Sequence, residues 1–164
     1  MMVQTKRRNG LRAISLGLAL AALLAGCAQK PGQAAADGAT QGSDLVIPVD
    51  DISEKVTFYP VEVDGTQMEV LAVKAPDGTI RTAFNTCQVC YDSGRGYYKQ
   101  EGDVLVCQNC GNRFRMDQVE VVSGGCNPVP ILDENKTVDD TSITISSAFL
   151  GEAKALFANW KTAG

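Results

Sequence analysis

The chain has no histidine among its 164 residues, and this absence excludes several kinds of site. Without an imidazole there is no Ser-His-Asp or Cys-His nucleophile, no catalytic zinc held by histidine and no haem with a histidine axial ligand. The chain also lacks a basic excess, since 15 Lys and Arg stand against 19 Asp and Glu. Because nucleic-acid binding relies on basic side chains that neutralise phosphates, we expect no nucleic-acid partner.

An apolar run long enough to cross a membrane is also missing from the amino-terminal region. The run over residues 13–24 has 12 residues, whereas a membrane-spanning helix needs about 20. Four basic residues precede it and Leu-Ala-Gly-Cys ends it at Cys27, an order typical of a bacterial lipoprotein signal peptide. We therefore predict a signal peptide over residues 1–26 and lipidation of Cys27, with an ordinary cleaved signal peptide as the alternative.

The predicted processing changes the charge of the protein. Removal of residues 1–26 takes away four of the 15 basic residues and none of the 19 acidic ones, which leaves a formal charge of −8. Because an acidic surface repels anionic headgroups, we expect the lipid on Cys27 to hold the protein at the extracytoplasmic face of a bacterial cell membrane. Residues 27–44 offer almost nothing to bury and are predicted to be a flexible tether.

Short runs of β-branched and aromatic residues separated by turn signals predict strands over most of residues 45–146. Asp64-Gly65 and Asp77-Gly78 separate the first three runs, and Asp-Gly is a strong hairpin signal because glycine tolerates positive φ. The candidate strands are 56–63, 68–74, 79–84, 96–100, 104–107, 114–116, 119–122 and 142–146. The expected fold is a mainly β, cysteine-rich domain, built as a small antiparallel sandwich or barrel.

The hydrophobic pattern changes to helical spacing after Ser146. Apolar side chains recur three or four residues apart, which predicts an amphipathic helix over residues 147–164. These side chains are Phe149, Ala153, Leu156, Phe157 and Trp160. We expect this stripe to pack on the sheet instead of forming a binding surface.

Five cysteines remain in the folded part, and four of them form two Cys-x-x-Cys pairs. Cys87 and Cys90 make the first pair, and Cys107 and Cys110 follow after a 16-residue interval. Each turn places two sulfurs on one side, so two such turns enclose a four-thiolate site suited to zinc or iron. The spacing therefore predicts Cys87, Cys90, Cys107 and Cys110 as metal ligands.

Two other residues bear on this site. Gly111 directly follows the second pair, where a residue without Cβ is suited to a left-handed backbone. Cys126 lies in the loop Gly-Gly-Cys-Asn-Pro and is either a fifth ligand or an inert buried thiol.

Disulfide chemistry is an alternative interpretation of these cysteines. Export favours oxidised thiols, although five cysteines leave one unpaired. A thiol-disulfide oxidoreductase is less favoured, because neither pair opens a predicted helix in a βαβ unit. A c-type haem is excluded, because no histidine follows either pair.

The segment from Asn85 to Phe114 and the Gly-Gly-Cys-Asn-Pro-Val-Pro-Ile loop resemble the C-terminal domain of FtrD-like membrane iron-sulfur proteins. The resemblance covers roughly residues 50–145. It implies an extracytoplasmic iron-sulfur or metal-binding domain that handles electrons, in several systems beside components of ferrous-iron uptake. Members with the full architecture have several transmembrane helices, so we expect this chain to be the soluble domain alone, with transport partners as separate proteins.

The order of elements is also similar to that of Rieske-type domains, in which two loops clasp a two-iron cluster under a proline loop. That family has Cys-x-His where this chain has Cys-x-x-Cys, and Cys110 stands in place of the second histidine. The resemblance therefore extends to the fold and not to the ligands.

Together these observations predict an electron carrier. We expect a lipid-anchored protein that binds an iron-sulfur cluster and exchanges single electrons with membrane redox or iron-transport proteins. It needs no small-molecule substrate and is not expected to be a stand-alone enzyme. A structural zinc site in a partner-binding module is the alternative, because four thiolates suit both metals.

Overall fold

A computed structural model describes residues 40–163. The predicted signal peptide, the lipidation of Cys27 and most of the predicted tether lie outside the described residues. None of the helices within the described range is long and apolar enough to span a bilayer.

The described residues are mainly β, as predicted. The strands are β1 (Thr40–Gln41), β2 (Leu45–Pro48), β3 (Thr57–Val63), β4 (Thr66–Lys74), β5 (Ile80–Cys87), β6 (Tyr98–Glu101), β7 (Val104–Cys107), β8 (Arg113–Arg115), β9 (Pro128–Pro130), β10 (Thr137–Val138) and β11 (Ser142–Ile145). One α-helix, α1 (Ser147–Glu152), follows them, and single-turn 3₁₀ helices lie at Val49–Asp51, Tyr91–Ser93, Met116–Gln118, Asp133–Asn135 and Lys154–Phe157.

The strands form three sheets. The largest has the order β1-β3-β4-β5-β9, and the smaller two have the orders β10-β11-β2 and β6-β7-β8. All pairs are antiparallel except β1 with β3, which is parallel. The described residues contain no closed barrel, so the sandwich alternative of the predicted fold is the one that applies.

Turn chemistry sets the first hairpin. Asp64 and Gly65 both have positive φ, 49° and 77°, and they join Val63 to its partner Thr66. Two residues of positive φ match the right-handed twist of the flanking strands. The predicted hairpin between β3 and β4 is confirmed.

The five-stranded sheet is the middle layer and has a core on each face. Met68, Val70 and Ala72 of β4 face a core shared with β2, β11 and α1. The alternate residues Leu71 and Val73 face a second core shared with β6, β7 and β8. Because successive side chains point to opposite faces, the part of β4 that is covered on both sides, residues 70–73, is an unbroken apolar run.

Two predicted elements differ from the structure. The run 119–122 is not a strand, because Glu120 takes a left-handed backbone conformation with φ 66°. The predicted helix over 147–164 is shorter: α1 ends at Glu152 and a 3₁₀ turn follows. Ser146 caps the helix, since its side chain accepts a hydrogen bond from the Phe149 amide.

Packing explains the shortened helix. The tighter 3₁₀ turn brings Phe157 edge-on to Phe84 of β5 and to Trp160, at ring separations of 5.8 and 5.5 Å. Edge-to-face contacts at such separations stabilise aromatic clusters. The predicted packing of this apolar stripe against the sheet is confirmed.

Candidate metal centre

The first cysteine turn begins where β5 ends. Cys87 is the last residue of that strand, and its amide donates to the Gly96 carbonyl at 2.7 Å. The chain then folds back, so that the Cys90 amide donates to the Cys87 sulfur at 3.3 Å. Gly96 lies so close to the Cys90 carbonyl that a Cβ would overlap it. Strand pairing and close backbone contact therefore hold this turn in place.

The second cysteine turn begins where β7 ends and is built in a similar way. Cys107 is the last residue of the strand, and its carbonyl accepts from the Gly111 amide at 2.9 Å. Gly111 has a φ of 72°, which confirms the predicted left-handed conformation. The Cys107 amide donates to the Asn112 carbonyl at 3.0 Å, which closes the turn.

The strand β6 joins the two turns. Tyr98 pairs with Cys107 in the β6–β7 register, and its amide donates to the Asn85 side-chain oxygen at 2.8 Å. The Gln108 amide donates to the Tyr97 carbonyl at 2.8 Å. Because Asn85 lies in β5 two residues before Cys87, these bonds place the two turns side by side.

The loop that carries Cys126 closes over both turns. The Cys126 carbonyl accepts from the Tyr98 hydroxyl and from the Asn112 side-chain amide, each at 2.9 Å. Gln88, inside the first turn, bonds the same loop through its amide to Asn127 and through its side-chain oxygen to Gly124. The Cys126 loop is therefore tied to the first turn by Gln88 and to the second by Asn112.

All five cysteines of the folded part come together. The Cys126 sulfur lies 3.1 Å from that of Cys87, 3.6 Å from that of Cys90 and 2.8 Å from that of Cys110. The sulfurs of Cys87, Cys90, Cys107 and Cys126 all lie within 4.8 Å of one another. We name these five residues the cysteine centre, and all of them are free thiols.

The central place of Cys126 was not apparent from the spacing of the cysteines. Its separation from Cys110 follows no ligand pattern, and only the two glycines and the prolines around it marked the loop as unusual. Gln88, Tyr98 and Asn112 were not predicted to support the site either. Their contacts depend on three segments that are distant in sequence.

The thiols have different electrostatic environments. Burial raises the pKa of Cys107 to about 11 and also raises the pKa of Cys90 and Cys126 above the ordinary value. A hydrogen bond from Cys126 lowers the pKa of Cys110 to about 7. Burial acts to raise the pKa of Cys87, but hydrogen bonds from Tyr98 and Cys126 outweigh it and the net shift is downward.

These shifts have a consequence for metal binding. The buried neutral thiols must lose protons to become ligands, and the positive charge of a metal compensates for the buried thiolates. Metal binding at this centre therefore releases protons.

Basic residues near the cysteines are paired with acidic neighbours. Arg113 contacts Glu101 at 2.9 Å and Arg115 contacts Asp117 at 2.7 Å, both at the exposed surface. These ion pairs neutralise the two guanidinium groups locally.

The donor set limits the metals that fit. Sulfur is the only ligand type in the candidate group, with neither histidine nor carboxylate among its members. All-sulfur sites are typical of zinc and of iron-sulfur clusters, whereas magnesium and calcium require oxygen ligands. The residues present therefore fit an iron-sulfur cluster or a zinc ion.

Comparison with known proteins agrees with this donor set. A family model described as "Membrane iron-sulfur containing protein FtrD-like" matches residues 50–157, which include all five cysteines of the centre. No curated protein and no solved structure matches the chain. The likeness to Rieske-type domains therefore stays a prediction.

Proposed function

Because the chain belongs to the FtrD-like family of membrane iron-sulfur proteins, we propose that its cysteine centre holds an iron-sulfur cluster and that the protein carries single electrons. The observation that carries this proposal is the convergence of five thiols from three separate segments on one point. Thiolates are the usual protein ligands of such clusters. When bound, the cluster supplies the one-electron change of valence.

The proposed ligands are Cys87, Cys90, Cys107 and Cys126. Their sulfurs form the compact group, whereas Cys110 is exposed and touches the group through Cys126. Cys110 then serves as a neighbouring thiol that replaces Cys126 when that residue is lost. This assignment differs from the set that the two Cys-x-x-Cys pairs suggest by one residue.

The chain itself contributes burial and hydrogen bonds. Cys87 and Cys107 are 0% and 1% exposed, so these ligands are shielded from water. Backbone amides of the two turns point at cysteine sulfurs, and the Tyr98 hydroxyl, which donates to the Cys126 carbonyl, lowers the pKa of Cys87. Hydrogen bonds to cluster sulfurs raise a reduction potential, whereas an all-thiolate set lowers it.

The exposed edge at Cys110 is the proposed side of electron exchange. We place the donor and acceptor among membrane redox or iron-transport proteins, in line with the lipid anchor predicted at Cys27. In this arrangement the domain lies outside the cytoplasm, and iron uptake is the process to which its electrons are assigned.

Metal analysis of the full-length chain, purified without oxygen, tests the proposal. The measurements are iron, zinc and acid-labile sulfide content, together with the visible spectrum before and after dithionite. Iron with sulfide, and a visible band that bleaches on reduction, is the expected result. Protein that contains neither iron nor sulfide would overturn the electron-carrier proposal.

A structural zinc site is the second candidate, and the compact group of four sulfurs favours it as well. Zinc would hold together three loops that have little core of their own, in a module that binds a partner. Colourless protein with one zinc ion per chain would support this candidate. Colourless protein without metal or free thiols would instead support thiol-disulfide chemistry.

A further inference from the structure

We propose that a buried ion pair between Glu120 and Lys136 positions the loop that presents Cys126 to the cysteine centre. The inference deepens the proposed function and rests on it in one respect, namely that the centre binds metal. Both residues are positioning residues, because they act through the loop and touch no sulfur.

The ion pair is well shielded from solvent. The Lys136 side chain is 2% exposed and that of Glu120 is 11% exposed. The ammonium group contacts the Glu120 carboxylate and donates to the carbonyl of Ile131 at 3.2 Å and to the hydroxyl of Thr82 at 3.1 Å. Lys136 also contacts the exposed carboxylate of Asp133, at 3.4 Å. Ion pairs at such depth are costly to break, because removal of one partner leaves a buried charge with less compensation.

The carboxylate of Glu120 also bonds directly to the central sheet. It accepts from the Thr82 amide and, at 2.7 Å, from the Thr82 hydroxyl. Thr82 belongs to β5 and is fully buried, and its carbonyl accepts from the Ile131 amide at 3.1 Å. Glu120 therefore supplies an acceptor for a buried amide of β5, and this contact anchors its loop to the central sheet.

The backbone conformation of Glu120 indicates that its side-chain contacts hold this residue in place. Its φ of 66° lies in the left-handed region, which is unfavourable for a residue with a Cβ. Such a conformation persists only where the surroundings determine it, and here three hydrogen-bonded contacts hold the side chain. The conformation also turns the chain away from the buried Val119.

The position of the loop beyond Glu120 depends on the contacts at its two ends. Residues 121–125 are exposed, and Gly124 and Gly125 have φ values of 86° and 68°. Gln88 holds the far end near Gly124 and Asn127, while Glu120 holds the near end. The place of Cys126 is therefore set from both ends. Loss of the Glu120 anchor loosens the near end, which then depends on buried Val119 and on the bonds from the Val121 and Val122 amides to the Gln118 carbonyl.

The test is the zinc affinity of the full-length chain, measured by competition with a chromophoric chelator. The variant combines Glu120→Gly with Lys136→Met, which removes the anchor, leaves no stranded charge of the pair and suits the left-handed backbone. We expect the dissociation constant for Zn²⁺ to rise about 10- to 100-fold, the range for partners that orient metal ligands. Glu120→Gln combined with the same Lys136→Met, which keeps an acceptor for Thr82 and strands no charge, should produce a smaller rise.

The same substitutions in a Cys126→Ser background separate positioning from a general loss of stability. With Cys126 absent, Cys110 completes the site, so the combined variant should cause no further loss of affinity. An equal rise in both backgrounds, or an unchanged affinity in folded protein, would overturn the proposal. Lys154→Met is the matched control, because Lys154 and Asp64 form an exposed ion pair and its loss should leave zinc affinity unchanged.

Circular dichroism establishes that each variant is folded. If the combined variant does not fold, Glu120→Asp makes the same comparison, since it keeps the charge and shortens the reach to Thr82. Zinc affinity is measured independently of iron, so an absence of iron and sulfide in the native protein would refute the electron-carrier proposal and leave this test intact.

Discussion

The two cysteine turns have the same spacing and a similar backbone course, yet the pKa shifts of their two thiols are reversed between the turns. Each turn starts at the buried last residue of a strand and directs backbone amides at the first sulfur. In the first turn the pKa of Cys87 is lowered and that of Cys90 raised. In the second turn the pKa of Cys107 is raised to about 11 and that of Cys110 lowered to about 7.

The surroundings explain this inversion. The Tyr98 hydroxyl stabilises the Cys87 thiolate, whereas Cys107 is buried without such a donor among its main influences. The carboxy-terminal segment packs beside the first turn, where the Asn159 side chain donates to Asp92 at 2.7 Å. The second turn ends at an exposed hairpin. The spacing thus determines where the sulfurs lie, and the packing around each turn determines their acidity and access.

Removal of single thiols should have the largest effect and tests whether the turns are equivalent. Cys107→Ser should abolish metal binding, since a buried ligand of the compact group is lost. Cys126→Ser should weaken binding less, because Cys110 lies 2.8 Å away and replaces it. Cys110→Ser should retain most of the metal. Metal content per chain measures all three, and equal loss in Cys107→Ser and Cys110→Ser would show that both pairs ligate.

Substitution of one glycine at each turn should lower the unfolding free energy by different amounts. A Cβ at Gly96 would overlap the Cys90 backbone, so Gly96→Ala should cost about 3 kcal/mol or more of unfolding free energy. Gly111 has open space around it, so Gly111→Ala should cost only the left-handed strain of about 1–2 kcal/mol. Denaturant unfolding of the metal-free protein measures both, and similar losses would contradict the asymmetry.

Thiol alkylation should distinguish the two cysteines of the second turn in the metal-free protein. The thiolate is the reactive form, so the reactivity of Cys110 should rise with pH through about 7, whereas Cys107 should stay unreactive until near pH 11. Iodoacetamide labelling at pH 7, followed by peptide mass spectrometry, should therefore find Cys110 modified before Cys107. Equal labelling of both residues would contradict the assigned environments.

The smallest expected effect concerns the donor that distinguishes the first turn. Tyr98→Phe keeps the ring and removes a hydroxyl that lowers the pKa of Cys87 and donates to the Cys126 carbonyl. If the cluster is bound as proposed, its reduction potential should fall by tens of millivolts, because the more negative reduced state loses a hydrogen bond. A redox titration measures the shift, with Tyr91→Phe beside the same turn as control. An equal shift in both variants would assign no special role to Tyr98.

Much of the fold could be predicted because its signals are local. Asp64-Gly65 specified a hairpin, and the run 104–107 matches β7 residue for residue. The run 119–122 misled because alternating apolar residues indicate a strand only where the backbone is free to extend, and Glu120 is held otherwise by Thr82 and Lys136. The predicted helix was too long because aromatic packing on Phe84 decided where it tightened.

The candidate site, like the fold, was predicted from the sequence only in part. The composition, which has six cysteines and no histidine, and the two Cys-x-x-Cys pairs determined that the chemistry is that of thiolates. Cys126 lies at the centre of the five sulfurs because contacts from distant segments, those of Gln88, Tyr98 and Asn112 among them, close its loop over both turns. Spacing within a turn is a local property that a sequence carries directly. Contacts between segments depend on how three sheets pack, and only the tertiary structure decides them.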